Sequence, residues 1–297
     1  MKKDIIFTGS AVAIVTPMRE DSSIDYEQLG TLIDMQIMGK TDAIVICGTT
    51  GESSTMTDDE HVECIKYTVK RVAGRVPVIA GAGSNDTAYA IWLSKEAEAA
   101  GADALLHVTP YYNKCTQKGL VAHFTAIADS TPLPIILYNV PSRTGMTIKP
   151  ETYLELSRHP RIVATKEASG DISAIAKTAQ LCGEALTIYS GNDDQIVPVL
   201  SLGGKGVISV LANAAPQQTH DIVDAYLSGD IARSLELQLR YLPLVEAIFC
   251  EVNPIPIKEA MNLMGFKCGN CRLPLTPMED ANRKRLAAEL TKVGLLH

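Results

Sequence analysis

The sequence predicts a closed barrel of eight alternating strands and helices, followed by a helical extension. Three observations carry that expectation. Eight short apolar runs recur up to Val210, each followed by a Gly- or Pro-marked turn and a stretch of helical period. The runs are continuously apolar rather than alternating, as strands covered on both faces are. An open doubly wound sheet would favour a glycine-rich loop after the first run, but Thr16-Pro17-Met18 stands there. Gly81-Ala-Gly83 does not extend to G-x-G-x-x-G either, because Asp86 holds the last position.

In chain order, the first strand is expected over Ser10–Val15. A helix follows over Tyr26–Met38, with Asp25 as its N-cap, then a strand over Asp42–Cys47. Thr57-Asp58 opens a helix over Asp59–Val72, and Val76–Ala80 is the third strand. Thr87–Ala100 is a helix stopped by Gly101. Ala104–Thr109 (strand), Lys118–Asp129 (helix), Ile135–Asn139 (strand) and Pro150–Ser157 (helix) continue the pattern. Ile162–Lys166 is the sixth strand, Ile172–Cys182 its helix, and Thr187–Ser190 the seventh. Asp194–Leu202 is a short helix ended by Gly203-Gly204, Gly206–Val210 the eighth strand, and Gln217–Leu227 the closing helix. After it, Ile231–Phe249, Pro256–Met264 and Met278–Val293 all read as helices. The division is a (β/α)₈ catalytic barrel over residues 1–227 and a helical extension over 228–297, suited to bracing the barrel or building an oligomer contact.

With 46% hydrophobic and 21% charged residues, the 297-residue chain has the composition of an ordinary globular protein. A net charge of −7 and the lack of any block of like charge argue against a nucleic-acid surface. Lys2 and Lys3 precede an apolar stretch as a leader would, but Asp4 interrupts at once and Thr16-Pro17 ends the run early. No segment reaches the roughly 18 apolar residues of a membrane helix. The expected location is the cytoplasm. The seven cysteines are odd in number and mostly sit in apolar segments, as buried thiols of a reducing compartment do. Cys268-Gly-Asn-Cys271 lacks a second C-x-x-C or C-x-x-H, so it reads as two thiols on a surface loop rather than a metal or redox site. His61, His107, His123 and His220 show no ligand spacing, and no G-x-S-x-G elbow is present. Neither a metal nor a cofactor is expected.

In a barrel of this type, chemistry gathers at the C-terminal ends of the strands. The sixth strand runs Ile162-Val-Ala-Thr into Lys166. Most lysines after strands are solvated. One held at a barrel rim against apolar neighbours is desolvated, its pKa falls, and the free amine can form a Schiff base with a ketone or aldehyde. The other strand ends support that second reading. Gly48-Thr49-Thr50-Gly51-Glu52 offers turning glycines and two hydroxyls, although Ser- and Thr-rich turns also cap helices. Tyr112 and Tyr138 are phenols able to move protons near a lysine, or aromatic packing at the barrel mouth. Arg143, in Pro141-Ser-Arg-Thr-Gly145, can clamp a carboxylate. Ser190-Gly191-Asn192-Asp193-Asp194 and Ile208-Ser209 end the last two strands. Gly203-Gly-Lys-Gly206 could bind phosphate, but a tight turn into the eighth strand is the simpler reading. The whole fits a class I, Schiff-base aldolase.

GTTGE (48–52), VTPYYN (108–113), YNVPSRTG (138–145), TKEAS (165–169) and GGKGVIS (203–209) stand in one order along the chain. With Thr8-Gly-Ser, Asn253-Pro-Ile-Pro-Ile-Lys258 and Arg272-Leu-Pro-Leu-Thr276, they closely resemble the dihydrodipicolinate synthase family of the N-acetylneuraminate lyase, or class I pyruvate aldolase, superfamily. The resemblance covers nearly the whole chain. It implies condensation of pyruvate with L-aspartate 4-semialdehyde in diaminopimelate and lysine biosynthesis. It makes Lys166 the Schiff-base lysine, Tyr138 the proton-relaying tyrosine, and Thr49 and Tyr112 its relay partners, with Tyr112 supplied by a neighbouring subunit. Thr50 is implied at the pyruvate carboxylate, Arg143 at the semialdehyde carboxylate, and Gly191 and Ile208 along the pocket. A homotetramer built from two tight dimers is implied as well. Many members are inhibited by L-lysine at positions that correspond to Ser53, His61, Asn85, Tyr89 and Tyr111. Tyr89 stands where lysine-sensitive members commonly carry a glutamate, which implies weaker or altered inhibition. Sibling aldolases acting on N-acetylneuraminate or 2-keto-3-deoxy sugar acids keep the lysine and tyrosine; Thr49-Thr50 and Ser142-Arg143-Thr144 match the synthase instead. A non-catalytic 2-oxo-acid-binding paralogue would need a broken site, and every expected group is present.

Overall fold

In the computed structural model, which describes residues 3–296, eight parallel strands close in sequence order into one barrel. They are β1 (Gly9–Ala13), β2 (Ala43–Ile46), β3 (Val78–Gly81), β4 (Ala104–Val108), β5 (Ile135–Asn139), β6 (Ile162–Glu167), β7 (Thr187–Ser190) and β8 (Gly206–Ser209). Lys2, weighed above as part of a leader, lies outside the described residues. The ring closes where Gly9 pairs with Gly206. A Cβ on Gly206 would lie 1.9 Å from the Gly9 carbonyl oxygen, and its φ of +156° is one that side chains rarely adopt, so this seam needs glycine.

The helices are α1 (Tyr26–Met38), α2 (Asp58–Val72), α3 (Thr87–Ala99), α4 (Gln117–Asp129), α5 (Pro141–Thr144), α6 (Pro150–Leu156), α7 (Ile172–Cys182), α8 (Ile196–Ser201), α9 (Pro216–Leu227), α10 (Ile231–Ile248), α11 (Ile255–Leu263) and α12 (Asp280–Lys292). Their starts follow local chemistry. Asp25 caps α1, and Thr57 and Glu60 form a reciprocal capping box on α2. Asp86, the residue that breaks the dinucleotide pattern, caps α3. The one-turn α5 was not expected from sequence; four residues are too few to show a period. The 194–202 helix is shorter than expected, Ile196–Ser201, with a 3₁₀ turn over Asp193–Gln195 before it.

Two apolar layers result. Inside the barrel, residues such as Ala11, Val45, Ile79, Leu106, Ile136 and Ile208 pack on one another. Outside, a larger cluster joins the other strand faces to the helices and runs on into α10, α11 and α12. Both strand faces are therefore buried, which is why the strands read as unbroken apolar runs. At the base, the Phe7 and Tyr189 rings stack with centroids 4.2 Å apart, and Tyr189 donates to the Phe7 carbonyl at 2.7 Å.

The extension is anchored by a buried ion pair. Lys258, on α11, donates to Glu52 Oε1 at 2.7 Å and to the Asn270 carbonyl at 2.8 Å. Glu52 Oε2 accepts the Arg272 backbone N–H at 2.8 Å. The Lys258 and Glu52 side chains are 2% and 1% exposed. The nearby Cys268 corrects the expectation of two surface thiols: it is fully buried, and Cys271 is half-buried, because this loop of the extension packs against the segment after β1, where the Met18 N–H donates to the Cys268 carbonyl at 3.0 Å. The Gly203–Gly206 stretch is the turn, not a phosphate loop. The Gly203 and Gly204 N–H groups are spent on the Leu200 and Val199 carbonyls, at the end of the barrel away from the strand C-termini. Removing one partner of the buried pair strands the other charge. Lys258→Met should therefore lose about 3–5 kcal/mol of stability in chemical denaturation.

Candidate active site

Lys166 points into the barrel mouth. The β5–β6 register sets it beside Tyr138, and the β6–β7 register beside Tyr189. Its Nζ lies 4.4 Å from the centroid of the Tyr138 ring, and the side chain is 5% exposed. Burial lowers the ammonium pKa from its usual value to about 8; the Asp193 carboxylate opposes that fall and the Arg143 guanidinium adds to it. Asp193 is itself buried, which raises its pKa. It accepts from Ser209 Oγ at 2.5 Å and from the Val210 and Leu211 N–H groups at 3.0 and 2.9 Å. Those bonds fix the carboxylate within electrostatic reach of the lysine and tie the loop after β7 to that after β8.

Gly191 makes room for the lysine. A Cβ there would sit 3.1 Å from Lys166 Cγ and 2.8 Å from Ala168 Cβ. The Gly191 N–H donates to the Glu167 carbonyl at 2.7 Å, which holds the loop against β6. Ile208 lies fully buried on β8, in the same inner layer as Tyr138. Burial raises the Tyr138 phenol pKa, while the Arg143 guanidinium and the neighbouring Thr49 side chain pull it back. A phenol of this kind, set between a hydroxyl and an amine, can pass a proton in either direction.

Thr50 is buried at 2% exposure and Arg143 lies at the rim. Thr49, Thr50, Tyr138, Arg143, Lys166, Gly191 and Ile208 are all carried on the C-terminal ends of β2, β5, β6, β7 and β8 or the loops that follow them. Tyr112 is the exception. Its backbone is left-handed, φ +68°, and its side chain is 93% exposed, clear of this chain's own Lys166 and Tyr138.

The five positions read as an effector site gather beside the mouth. Asn85 Nδ2 donates to the Tyr111 carbonyl at 3.1 Å, and His61 Nε2 lies 2.8 Å from the Gly81 carbonyl. Tyr89 donates to Asp58 Oδ1 at 2.7 Å. Burial lowers the His61 pKa, whereas burial and the Asp58 carboxylate push the Tyr89 phenol up to about 12. A small cavity of ≈ 50 Å³ touches both regions, with Thr49 and Tyr138 on one side and Ser53 and Gly81 on the other. Of the roomier openings, one lies at the opposite end of the barrel, lined by Lys3, Pro77, Pro134 and Arg161 among others, and one between the loop after β7 and α10, lined by Asn192, Asp194, Leu242 and Phe249 among others; neither sets a lysine beside a tyrosine. Among the described residues no cluster of three or more His, Cys, Asp or Glu could hold a metal, and no helix is long and apolar enough to cross a membrane.

Sequence reasoning did not single out Asp193, Asn253 or Lys258 for roles. Asp193 lay within a flagged strand end, so its place could have been suspected. Asn253 and Lys258 reach the mouth only because the extension folds back over it.

The fold and this constellation define a Schiff-base lyase on a (β/α)₈ barrel. The profile of the Dihydrodipicolinate synthetase family matches residues 6–293, and the chain belongs to that family. The 4-hydroxy-tetrahydrodipicolinate synthase of Lachnoclostridium phytofermentans is 62% identical over 292 residues, covering 98% of this chain and 99% of that protein. The structure of the chloride-inhibited dihydrodipicolinate synthase of Acinetobacter baumannii complexed with pyruvate superposes with a TM-score of 0.96 at 41% identity, over 98% of this chain and 100% of that one. The Cyanidioschyzon merolae enzyme with lysine bound gives 0.96 at 38%, over 99% and 100%.

Labelling of Lys166 by an amine-directed carbonyl reagent should rise with pH through about 8, as the ammonium loses its proton. Arg143→Gln removes a positive neighbour and should move that midpoint upward. Asp193→Asn removes a negative one and should move it downward. Mass spectrometry of the labelled peptide reads both.

Proposed function

We propose that the chain catalyses the 4-hydroxy-tetrahydrodipicolinate synthase reaction, condensing pyruvate with L-aspartate 4-semialdehyde in diaminopimelate and lysine biosynthesis. The observation that carries this reading is the buried amine with its pKa lowered to about 8, packed against Tyr138. The Lys166 amine adds to C2 of pyruvate, water leaves, and a protonated imine forms. The imine draws electrons from C3, a C3 proton is lost, and the resulting enamine attacks the aldehyde carbon, whose oxygen takes up a proton; the amine of the semialdehyde then adds to the imine carbon, closing the ring and expelling the Lys166 amine. Tyr138 and Thr49 move the protons, with Tyr112 joining them from a neighbouring subunit. Thr50 binds the pyruvate carboxylate, Arg143 that of the semialdehyde, and the Gly191 and Ile208 backbones line the pocket.

The exposed, left-handed Tyr112 supports a site completed by a second copy, and with it a tetramer made of two tight dimers. Residues 1–227 then hold the chemistry, while 228–297 brace its loops. The enzyme works in the cytoplasm and needs no metal or cofactor. The paired threonines and the Arg143 loop favour the synthase over a sugar-acid aldolase. Turnover of both substrates, followed by NADPH loss through a coupled reductase, should be robust. It should vanish in Lys166→Ala and fall as the protein is diluted to monomers. Pyruvate trapped on Lys166 without turnover would point to a sibling aldolase instead.

L-Lysine is the proposed effector, bound by Ser53, His61, Asn85, Tyr89 and Tyr111. With tyrosine rather than a carboxylate at 89, that position offers an ammonium no charge-assisted contact of its own, worth about 1.5–3 kcal/mol, and its phenol already occupies the neighbouring Asp58 carboxylate. Tyr89→Glu should accordingly tighten lysine inhibition by roughly tenfold or more. Full, tight inhibition of the unaltered protein in a lysine titration would overturn this reading.

A further inference from the structure

Thr50 and Arg143 sit on loops after different strands, yet both bond to one residue. Asn253 lies in the connection between α10 and α11 and is 5% exposed. Its Nδ2 donates to Thr50 Oγ1 at 2.9 Å. Its backbone carbonyl accepts from Arg143 Nη2 at 3.1 Å. A hydroxyl has one proton and two lone pairs. Because an amide N–H takes one lone pair of Thr50, the hydroxyl proton is left to point elsewhere, as an anion at the mouth requires.

The other end of the same side chain is unsatisfied. Asn253 Oδ1 is buried and has no hydrogen-bond partner. Burying an acceptor without a donor is unfavourable, and an apolar side chain of similar size would avoid it. Stability therefore does not account for an asparagine here, whereas the orientation of Thr50 does.

We propose that Asn253 is a positioning residue for the carboxylate of the first substrate: its amide sets the Thr50 hydroxyl as a donor, while its backbone tethers Arg143. This deepens the reading in which Thr50 holds the pyruvate carboxylate, and rests on it. The extension thereby contributes directly to substrate recognition.

Asn253→Asp keeps the volume but can only accept, so it draws the Thr50 proton inward and adds a negative charge. Borohydride trapping of pyruvate on Lys166 gives the half-saturating pyruvate concentration without the second substrate. That concentration should rise about tenfold or more in Asn253→Asp, and less in Asn253→Ala, which only loses the donor. In Asn253→Ala, which adds no charge, the KM for the semialdehyde should change by about twofold at most, because the Arg143 tether is made by the backbone. If the aspartate variant does not fold, Asn253→Ala alone carries the comparison, since it removes the donor to Thr50 without adding charge. An unchanged pyruvate dependence, with or without a lower unfolding temperature, would mark a merely structural residue and overturn the proposal; so would equal losses for both substrates in Asn253→Ala. If the unaltered protein traps no pyruvate, the proposed function falls along with this inference. If it traps pyruvate normally and the variants match it, only this inference falls.

Discussion

The removal of one amine from water governs the architecture at the mouth of this barrel. Lys166 is 5% exposed, and burial outweighs its attraction to Asp193, which the Arg143 guanidinium partly offsets, so its pKa is held near 8. Such a balance needs closed walls. Without a complete ring of strands and an apolar filling beneath, water would reach the ammonium and restore its ordinary pKa. The glycine seam between β1 and β8, the Phe7–Tyr189 stack at the base and the tight approach of Gly191 to the lysine stem all serve that enclosure.

A second constraint ties the extension to the site. The loop after β2 carries Thr49 and Thr50, and it turns at Glu52 through a left-handed residue, φ +59°. The Glu52 carboxylate is satisfied entirely by groups of the extension, Lys258 Nζ and the Arg272 N–H. Arg272 also donates to both Glu60 oxygens, 2.8 and 2.5 Å away, on α2. The strand-two loop is therefore held from outside the barrel as firmly as from within. A buried pair of this kind is poor evidence of extra stability, but it is strongly specific about where a loop sits.

Local chemistry was legible where it is local. The capping residues Asp25, Thr57 and Asp86 act as their types and spacing imply, and most strand and helix limits fall within a residue or two of the expected ones. The one-turn helix over Pro141–Thr144 was not legible, because four residues show no period and the segment has the composition of a loop. Cys268 was misread for a different reason. A short C-x-x-C between polar residues looks exposed until its loop is folded against the segment after β1.

By itself, the sequence determined the barrel, the polar rim at the strand ends and the lysine at the end of β6. These follow from patterns repeated along the chain and from residue types whose chemistry does not depend on distant partners. Only the tertiary structure decided which distant groups meet. Asn253 reaches Thr50 across a separation of 203 residues, and Lys258 reaches Glu52 across 206. Asp193 acts on Lys166 because β6 and β7 pair in a register that brings their ends together, and Tyr112 is left facing outward. Such contacts are set by the return path of the chain through space, and neither periodicity nor local spacing carries that information.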